Sequence, residues 1–314
     1  MSRTVVHRDE LLKAKLEFGG TTIDLADYAT TGLRAVAAGP SGCGKSNVGL
    51  VMAEQLSRQG WIAVLVDPEG ELASMYGEPV PDPDALREAL DTRAKPIVVV
   101  SVTDANEFLP YGQVILEAAD VHRRPIFVVL DEGQLFSSSS RRKNGIGESG
   151  DIINQIMQQG RKRRLDCFVT AHRFSGSIHR SVITNKNITF LGTQEDPTAW
   201  SALAPMCRTA RIEYSDLAAL SPGEFYLFAR HGVEKVRMPM ADALARVAPK
   251  ARKAKQLLPT TFAAWDRAVR AIPTPRLDAL TPEVTAFLCA VAGLMPQQSQ
   301  AGYRALADEL ATRA

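Results

Sequence analysis

The sequence predicts an α/β fold in which a mostly parallel sheet is flanked by helices. Between Leu33 and about Met240, short apolar runs alternate with stretches of helical periodicity, and parallel strands need such crossover helices. A glycine-rich loop follows the first of these apolar runs, and a later run ends in two adjacent carboxylates. Together these observations predict a doubly wound sheet with an anion-binding site where its strands end.

Composition limits the possible classes of protein. The 314 residues, 45% of them hydrophobic and 23% charged, suit one large domain or a domain of about 200 residues with an appendage. No apolar run is long enough to cross a bilayer, and the N-terminus has no apolar signal core, so we expect a cytoplasmic protein without a membrane span. The four cysteines are far apart and predict neither a zinc site nor a disulfide framework.

Residues 1–32 combine strand-like pieces, Thr4–Val6 and Thr22–Leu25, with a helix-like stretch from Asp9 to Leu16. They are too few for a separate domain. We predict an N-terminal strap that packs beside the main domain.

The glycine-rich loop, residues 39–46, follows a predicted buried strand and fits the pattern G-x-x-x-x-G-K-[ST] of a phosphate-binding loop. We call these residues the P-loop. Its glycines let backbone N–H groups point at an anion, and the helix predicted at Lys45–Arg58 adds its positive N-terminal end. Lys45 is predicted to reach the β- and γ-phosphates of a nucleotide, and Ser46 to ligate Mg²⁺. The predicted phosphate-binding residues are Gly39, Pro40, Ser41, Gly42, Cys43, Gly44, Lys45, Ser46 and Asn47.

The alternation continues beyond the P-loop helix. Buried strands are predicted at Trp61–Val66, Pro96–Val102 and Pro125–Leu130. Helices are predicted at Asp84–Thr92 and Gly112–His122.

Two adjacent carboxylates, Asp131 and Glu132, end the third of these strands. A P-loop needs a carboxylate at the tip of a neighbouring strand, so Asp131 is predicted to hold Mg²⁺ through water. Glu132, which points another way, is predicted to orient or deprotonate an attacking water. The alternative is a strand end that is acidic only because it is solvated. With the P-loop upstream, the pair favours a hydrolase or motor over a simple nucleotide-binding module.

A basic loop follows the carboxylates. Arg141, Arg142 and Lys143 lie in a polar loop predicted from Ser137 to Ser149, ahead of a helix at Asp151–Gly160. Cations tethered to a catalytic strand suit contacts with the phosphates of DNA, which carry no sequence information. A surface loop without a ligand is the alternative.

Four consecutive cations, Arg161 to Arg164, are predicted between that helix and a strand at Asp166–Thr170. One use is an arginine that acts on a neighbouring subunit's nucleotide, Arg161 being the first candidate and Arg164 and Arg173 the next. Contact with a phosphate backbone and a solvated basic turn are the alternatives. His172 ends the strand and is predicted to sense the γ-phosphate, unless it is simply a hydrogen-bonded histidine at a strand end.

The remaining predictions complete the chain. They are a short helix at Ile178–Ile183, a strand at Ile188–Leu191 and a hairpin of Glu224–Arg230 with Glu234–Met238. Residues 241–258 read as a basic linker or a solvated helix. Residues 260–314 read as a small helical region, which suits either DNA reading in the manner of a helix-turn-helix or a structural cap.

In their order, these motifs resemble the HerA–FtsK superfamily of RecA-like ring ATPases. The P-loop and the Asp131–Glu132 pair carry the resemblance, and four stretches support it: Asp67-Pro-Glu-Gly-Glu71, Gly160-Arg161-Lys162, Phe168–Arg173 and Leu220-Ser-Pro-Gly-Glu-Phe225. The family usually has glutamine where this chain has His172. The resemblance covers residues 33–240 as a RecA-like domain, between the strap of residues 1–32 and the linker and helical region of residues 241–314.

The resemblance implies a RecA-like ATPase that hydrolyses ATP with Mg²⁺ and moves double-stranded DNA through a homo-oligomeric ring, a pentamer or hexamer. The family's long N-terminal barrel and its membrane anchor have no counterpart in the sequence. We therefore expect a compact packaging-type motor of a phage or mobile element, acting in the host cytoplasm if a phage encodes it. A portal is a candidate partner, and no membrane is expected.

Two alternatives stay open. One is a helicase-type subunit that works with a separate nuclease in repair or defence, since the chain shows no nuclease-like metal cluster of its own. The other is a nucleotide-switched regulatory assembly that does not pump DNA. A metabolite kinase fits poorly, because Glu132 directly follows Asp131 and no acceptor-binding lid is evident.

Overall fold

The computed structural model describes residues 13–122, 124–137, 146–172, 178–194 and 196–246. The chain up to Arg246 belongs to one compact unit, and a second unit begins at Val247. The helices predicted within residues 260–314 and the strand-like piece Thr4–Val6 lie outside the described residues.

A two-stranded antiparallel hairpin opens the described chain, with β1 at Lys15–Phe18 and β2 at Thr21–Asp24, followed by a 3₁₀ turn at Leu25–Tyr28. The predicted helix Asp9–Leu16 is wrong at Leu16, which lies in β1. Leu16 and Phe18 are buried while the residues between and before them are exposed, and this period of two is that of a strand.

The first half of the main domain follows the predicted alternation. Its elements are β3 (Arg34–Ala38), α1 (Lys45–Arg58), β4 (Ile62–Asp67), α2 (Ala73–Tyr76), α3 (Pro83–Thr92), β5 (Ile97–Ser101), α4 (Ala105–His122) and β6 (Ile126–Leu130). The second half adds a 3₁₀ turn (Gly133–Leu135), α5 (Ile146–Arg163), β7 (Leu165–Ala171), α6 (Arg180–Asn185), β8 (Ile188–Leu191), α7 (Pro197–Thr209), α8 (Tyr214–Ala218), β9 (Glu224–Ala229) and β10 (Gly232–Arg237).

The eight main strands form one sheet in the order β10-β9-β8-β3-β7-β6-β4-β5. The six strands from β8 to β5 are parallel, whereas β9 is antiparallel to both β8 and β10. The predicted mostly parallel sheet flanked by helices is confirmed. Because β10 has the same direction as β3, the chain that leaves β10 emerges at the same edge of the sheet as the P-loop.

Side chains along the central strands alternate between two cores. In β6, Phe127 and Val129 join the core beneath α1, whereas Val128 and Leu130 join the core beneath α4 and α5. Gly49 lets α1 lie close to the sheet, since a Cβ there would be 2.8 Å from the ring of Phe168. None of the helices in the described ranges has both the length and the apolar character needed to cross a membrane.

Two helices start earlier than predicted. Helix α4 begins at Ala105 and not at Gly112, because Asp104 Oδ1 accepts hydrogen bonds from the N–H groups of Asn106 and Glu107, at 2.7 and 3.0 Å. This cap starts the helix ahead of Pro110, which therefore lies inside α4. Helix α5 begins within the predicted polar loop, at Ile146.

The basic stretch Arg161–Arg164 was predicted to connect a helix to a strand, and the structure differs from this prediction. Arg161 is in the last turn of α5 and not in a connecting segment, and the helix stops where Arg164 takes a left-handed φ of 56°. Helices α7 and α8 were not predicted, and Pro205 lies inside α7. Leu203 and Cys207 of α7 are nevertheless buried in a small core at the end of β3 and β8.

Candidate nucleotide-binding and hydrolysis site

The P-loop connects β3 to α1 at the edge of the sheet where the parallel strands end. Gly42 and Gly44 have φ values of 79° and 102°, a region that favours glycine. Gly39 is needed for a different reason: a Cβ there would lie 2.7 Å from the Cys43 Sγ atom. Burial raises the pKa of the Cys43 thiol, so this side chain fills the loop as a neutral group.

The P-loop is arranged to receive an anion. Gly44 caps α1 without a side-chain hydrogen bond, which leaves the first N–H groups of the helix available to a ligand. Lys45 is only 5% exposed, and its Nζ atom donates to the carbonyl of Pro40 at 3.0 Å across the loop. The ammonium group therefore already lies over the P-loop, where a bound phosphate would meet it.

Asp131 lies opposite the start of α1. Ser46 Oγ donates to Asp131 Oδ2 at 2.7 Å, and Thr170 Oγ1 of β7 donates to Asp131 Oδ1 at 2.6 Å. β7 lies between β3 and β6 in the sheet, so its end holds the carboxylate in place. The hydroxyl of Ser46 and the carboxylate of Asp131 are the hard oxygen donors that suit Mg²⁺.

Glu132 points away from Asp131 because its backbone has a left-handed φ of 50°. Its N–H group donates to Thr170 Oγ1 at 2.8 Å and to Asp131 Oδ1 at 3.2 Å, which holds this unusual conformation. Its Oε2 atom accepts a hydrogen bond from Gln134 Nε2 and lies 2.8 Å from His172 Nε2. The two neighbouring carboxylates thus have separate partners.

The turn before β9 contacts the P-loop on the side opposite Asp131. The N–H group of Gly223 donates to the carbonyl of Cys43 at 2.9 Å, and the carbonyl of Gly223 accepts from Met238 at 2.8 Å. Gly223 has a φ of 84°, and its Cα atom would be 3.5 Å from a Cβ on Gly44. The P-loop therefore packs directly on a glycine turn.

The side chain of Asn47 binds protein and not the predicted phosphate. Its Nδ2 atom donates to the carbonyl of Pro239 at 2.8 Å, and its Oδ1 atom accepts from the N–H group of Ala241 at 2.8 Å. Further along α1, Glu54 accepts from the N–H groups of Asp242 and Ala243, at 2.7 and 2.9 Å. This face of α1 holds the chain that leaves β10, and only the backbone N–H of Asn47 remains for a phosphate.

The other predicted residues have different positions. Arg161 and Arg164 precede β7, and the P-loop follows the parallel strand β3, so they lie at opposite ends of the sheet. The predicted DNA-contacting residues Arg141, Arg142 and Lys143, and also Arg173, lie outside the described residues.

Two residues of the site were missed by sequence reasoning. Thr170 was predicted only as the last residue of a strand, and Gln134 was not assigned to any element. A polar residue near the end of an otherwise apolar strand was the available signal for Thr170. No signal in the sequence distinguished Gln134.

No protein-family model and no curated protein matches the sequence. The genome packaging NTPase B204 from Sulfolobus turreted icosahedral virus 2, solved in complex with ATP-gammaS, is similar in structure with a TM-score of 0.51 and 14% identity, over 65% of this chain and 96% of that chain. VirB4 of Thermoanaerobacter pseudethanolicus is similar with a TM-score of 0.51 and 11% identity, over 72% of this chain and 96% of that chain. Both proteins belong to the FtsK–HerA superfamily of P-loop ATPases, and the fold of this chain is the P-loop NTPase fold that they share.

Proposed function

We propose that this chain is an ATPase of the FtsK–HerA type that couples ATP hydrolysis to the movement of double-stranded DNA. The observation that carries the proposal is the hydrogen bond from Ser46 Oγ to Asp131 Oδ2, 2.7 Å long, beside a second carboxylate with separate partners. This contact supports a site in which the P-loop would hold the phosphates, Ser46 and Asp131 the metal, and Glu132 the attacking water. The similarity to a genome packaging NTPase bound to ATP-gammaS supports ATP as the ligand.

Binding of the triphosphate begins at the P-loop. Backbone N–H groups and the N-terminal end of α1 receive the phosphates, and Lys45 exchanges its bond with the Pro40 carbonyl for a phosphate oxygen. Ser46 and Asp131 would hold Mg²⁺, with Thr170 fixing the second oxygen of the carboxylate. When bound, Mg²⁺ neutralises charge on the β- and γ-phosphates.

Hydrolysis needs a base at the γ-phosphate, and Glu132 has this role in the proposal. Its carboxylate accepts a proton from water while the water oxygen bonds to the γ-phosphorus and the bond to the leaving ADP oxygen breaks. In the structure that carboxylate is bonded to His172 and Gln134. Both bonds are made by the Oε2 atom, so the water would donate to the Oε1 atom. His172, bonded to the same carboxylate, is the proposed sensor of the γ-phosphate.

The proposal extends to a homo-oligomeric ring, a pentamer or hexamer. Arg161 lies at the end of the sheet away from its own P-loop, so it is a candidate only for the nucleotide of a neighbouring subunit. Arg141, Arg142 and Lys143 are proposed to contact DNA phosphates. The packaging-type motor of a phage or mobile element, with a portal as partner, is the specific role we favour, because the structurally similar protein B204 is a DNA-packaging ATPase.

The test compares wild type with Glu132→Gln, with and without duplex DNA, at low and high salt. We expect DNA to stimulate hydrolysis in the wild type, and Glu132→Gln to lose about 10²- to 10⁴-fold in rate while still binding ATP. Stimulation should fall steeply with salt, as it does when cations contact phosphates. Glu88→Gln, which changes an exposed carboxylate on α3, is the matched control.

Three outcomes would contradict the proposal. Hydrolysis that ignores DNA would favour a regulatory nucleotide switch. Copurification with a nuclease would favour the helicase-type subunit over packaging. A Glu132→Gln variant as active as wild type would remove Glu132 from the mechanism.

A further inference from the structure

The two sides of the P-loop face opposite ends of a bound nucleotide. Asp131 follows β6, on the side of β3 where β7, β6, β4 and β5 lie. The chain that leaves β10 comes from the opposite side, beyond β8 and β9, and reaches the same edge of the sheet. In the proposed function the γ-phosphate lies toward Asp131, so the ribose and base must extend toward the chain after β10.

That chain is fixed to the first three turns of α1. The amide of Asn47 bonds to both Pro239 and Ala241, and Glu54 bonds to the next two N–H groups. Upstream, the N–H group of Met238 is bonded to Gly223, which itself supports the P-loop. A segment held at so many points keeps its position relative to the phosphates.

Met240 is the one residue of this segment that turns a large apolar side chain to solvent. It is 53% exposed, whereas Met238 and Ala241 on either side are 7% and 1% exposed. In the described part of the chain, Val121 and Leu135 are also large exposed hydrophobics, but only Met240 is held beside the first turn of α1. An apolar side chain on a rigid segment at this position is available to pack against a ring of a bound ligand.

We propose that Met240 forms the shelf on which the base of the bound nucleotide packs. A thioether makes favourable contacts with an aromatic ring, and every base offers such a face. The proposal rests on the proposed function, since it takes the P-loop as the triphosphate site. It assigns the chain after β10 a role in binding the nucleoside part of the ligand.

The test uses two ligands that share a triphosphate, namely ATP and inorganic tripolyphosphate, each with Mg²⁺. Binding is measured by calorimetry on the full chain. Met240→Ala should weaken ATP up to about tenfold, because the contact of a sulfur with a ring contributes at most about that factor. Tripolyphosphate, which has no nucleobase, should bind to Met240→Ala as tightly as it binds to wild type. Met240→Leu, which keeps an apolar side chain but has no sulfur, should have an ATP affinity between those of Met240→Ala and wild type.

Asn47→Ala provides a second variant. It releases the segment without changing Met240, and it should weaken ATP more than tripolyphosphate. Val121→Ala removes a comparable exposed side chain from α4 and should change neither affinity.

The outcomes separate this inference from the proposed function. If Met240→Ala leaves the affinity for ATP unchanged, or lowers the affinity for both ligands equally, the proposal that Met240 packs against the nucleobase is wrong. If it alters only the oligomeric state, measured by sedimentation, Met240 is a subunit contact and the shelf is again wrong. If wild type binds neither ligand, or Lys45→Ala changes the binding of neither, the P-loop proposal fails and the shelf fails with it.

Discussion

The two sides of the P-loop are built by different means. Toward β6 and β7, polar side chains bond to one another: Ser46 and Thr170 to Asp131, and His172 to Glu132. Toward β9 and β10, the hydrogen bonds instead hold backbone groups in place. The side-chain amide of Asn47, for example, bonds to the backbone of the chain after β10. The first side consists of groups that can change partners when a ligand binds. The second consists of groups whose partners are part of the fold.

The largest expected effect is on the first side. Asp131→Asn keeps the shape of the side chain but removes the charge that Mg²⁺ needs. We expect ATP hydrolysis to fall at least about a hundredfold, because metal binding supplies several kcal/mol of charge stabilisation. Steady-state rates at rising Mg²⁺ measure this, and the melting temperature should change little. Asp91→Asn, at an exposed site on α3, is the control. Equal rates in Asp131→Asn and wild type would contradict the assignment.

A second effect tests how Asp131 and Glu132 are held. Thr170→Val removes the hydroxyl that donates to Asp131 and accepts from the Glu132 N–H group. We expect a loss of about 1–3 kcal/mol in the free energy of unfolding, and a clear loss of hydrolysis. Thr189→Val makes the same change in β8, on the other side of the P-loop, and should leave the rate unchanged. If both variants slow hydrolysis equally, the two sides do not differ as described.

A smaller effect is expected at His172. His172→Ala removes a partner of Glu132 and should lower kcat several-fold with little change in KM, because the base loses a group that orients it. His172→Gln restores a donor and should recover most of the rate. Measured kcat and KM for both variants decide the point. A glutamine variant as slow as the alanine variant would show that donation to Glu132 is not what matters.

The smallest effect should come from the second side. Gly223→Ala places a side chain at a φ of 84°, and it should lower the free energy of unfolding by about 1–2 kcal/mol. It should also raise the KM for ATP a few-fold, because Gly223 supports the P-loop. Gly232→Ala is the matched control: Gly232 has a φ of 137° and lies at the other end of β9 and β10, away from the P-loop. Urea unfolding should show a loss in both variants, and only Gly223→Ala should change KM.

Much of the site follows from short motifs. Residues 39–46 specify their own turn through their glycines, and the apolar run before Asp131 specifies a strand that ends beside that turn. The P-loop NTPase fold was predicted on these grounds and is confirmed. Such motifs are local, so a single sequence is enough to find them.

The rest depends on contacts between distant parts of the chain. Thr170 acts on Asp131 only because β7 lies between β3 and β6, an order that spacing along the chain does not reveal. The partners of Asn47 are more than 190 residues away. Helix α7, which contains Pro205, was not predicted, and the burial of Leu203 and Cys207 stabilises it. Local propensity cannot anticipate such tertiary stabilisation.

The left-handed backbone at Glu132 has a conformational cost, which the proposed role of this carboxylate as general base would explain. Glycine would adopt the same conformation more easily and would relieve about 1–2 kcal/mol. Glu132→Gly would also lose the bonds of the carboxylate to Gln134 and His172, so we expect it to change the melting temperature little while abolishing hydrolysis. In the proposed mechanism, activity and not stability therefore keeps a carboxylate at position 132.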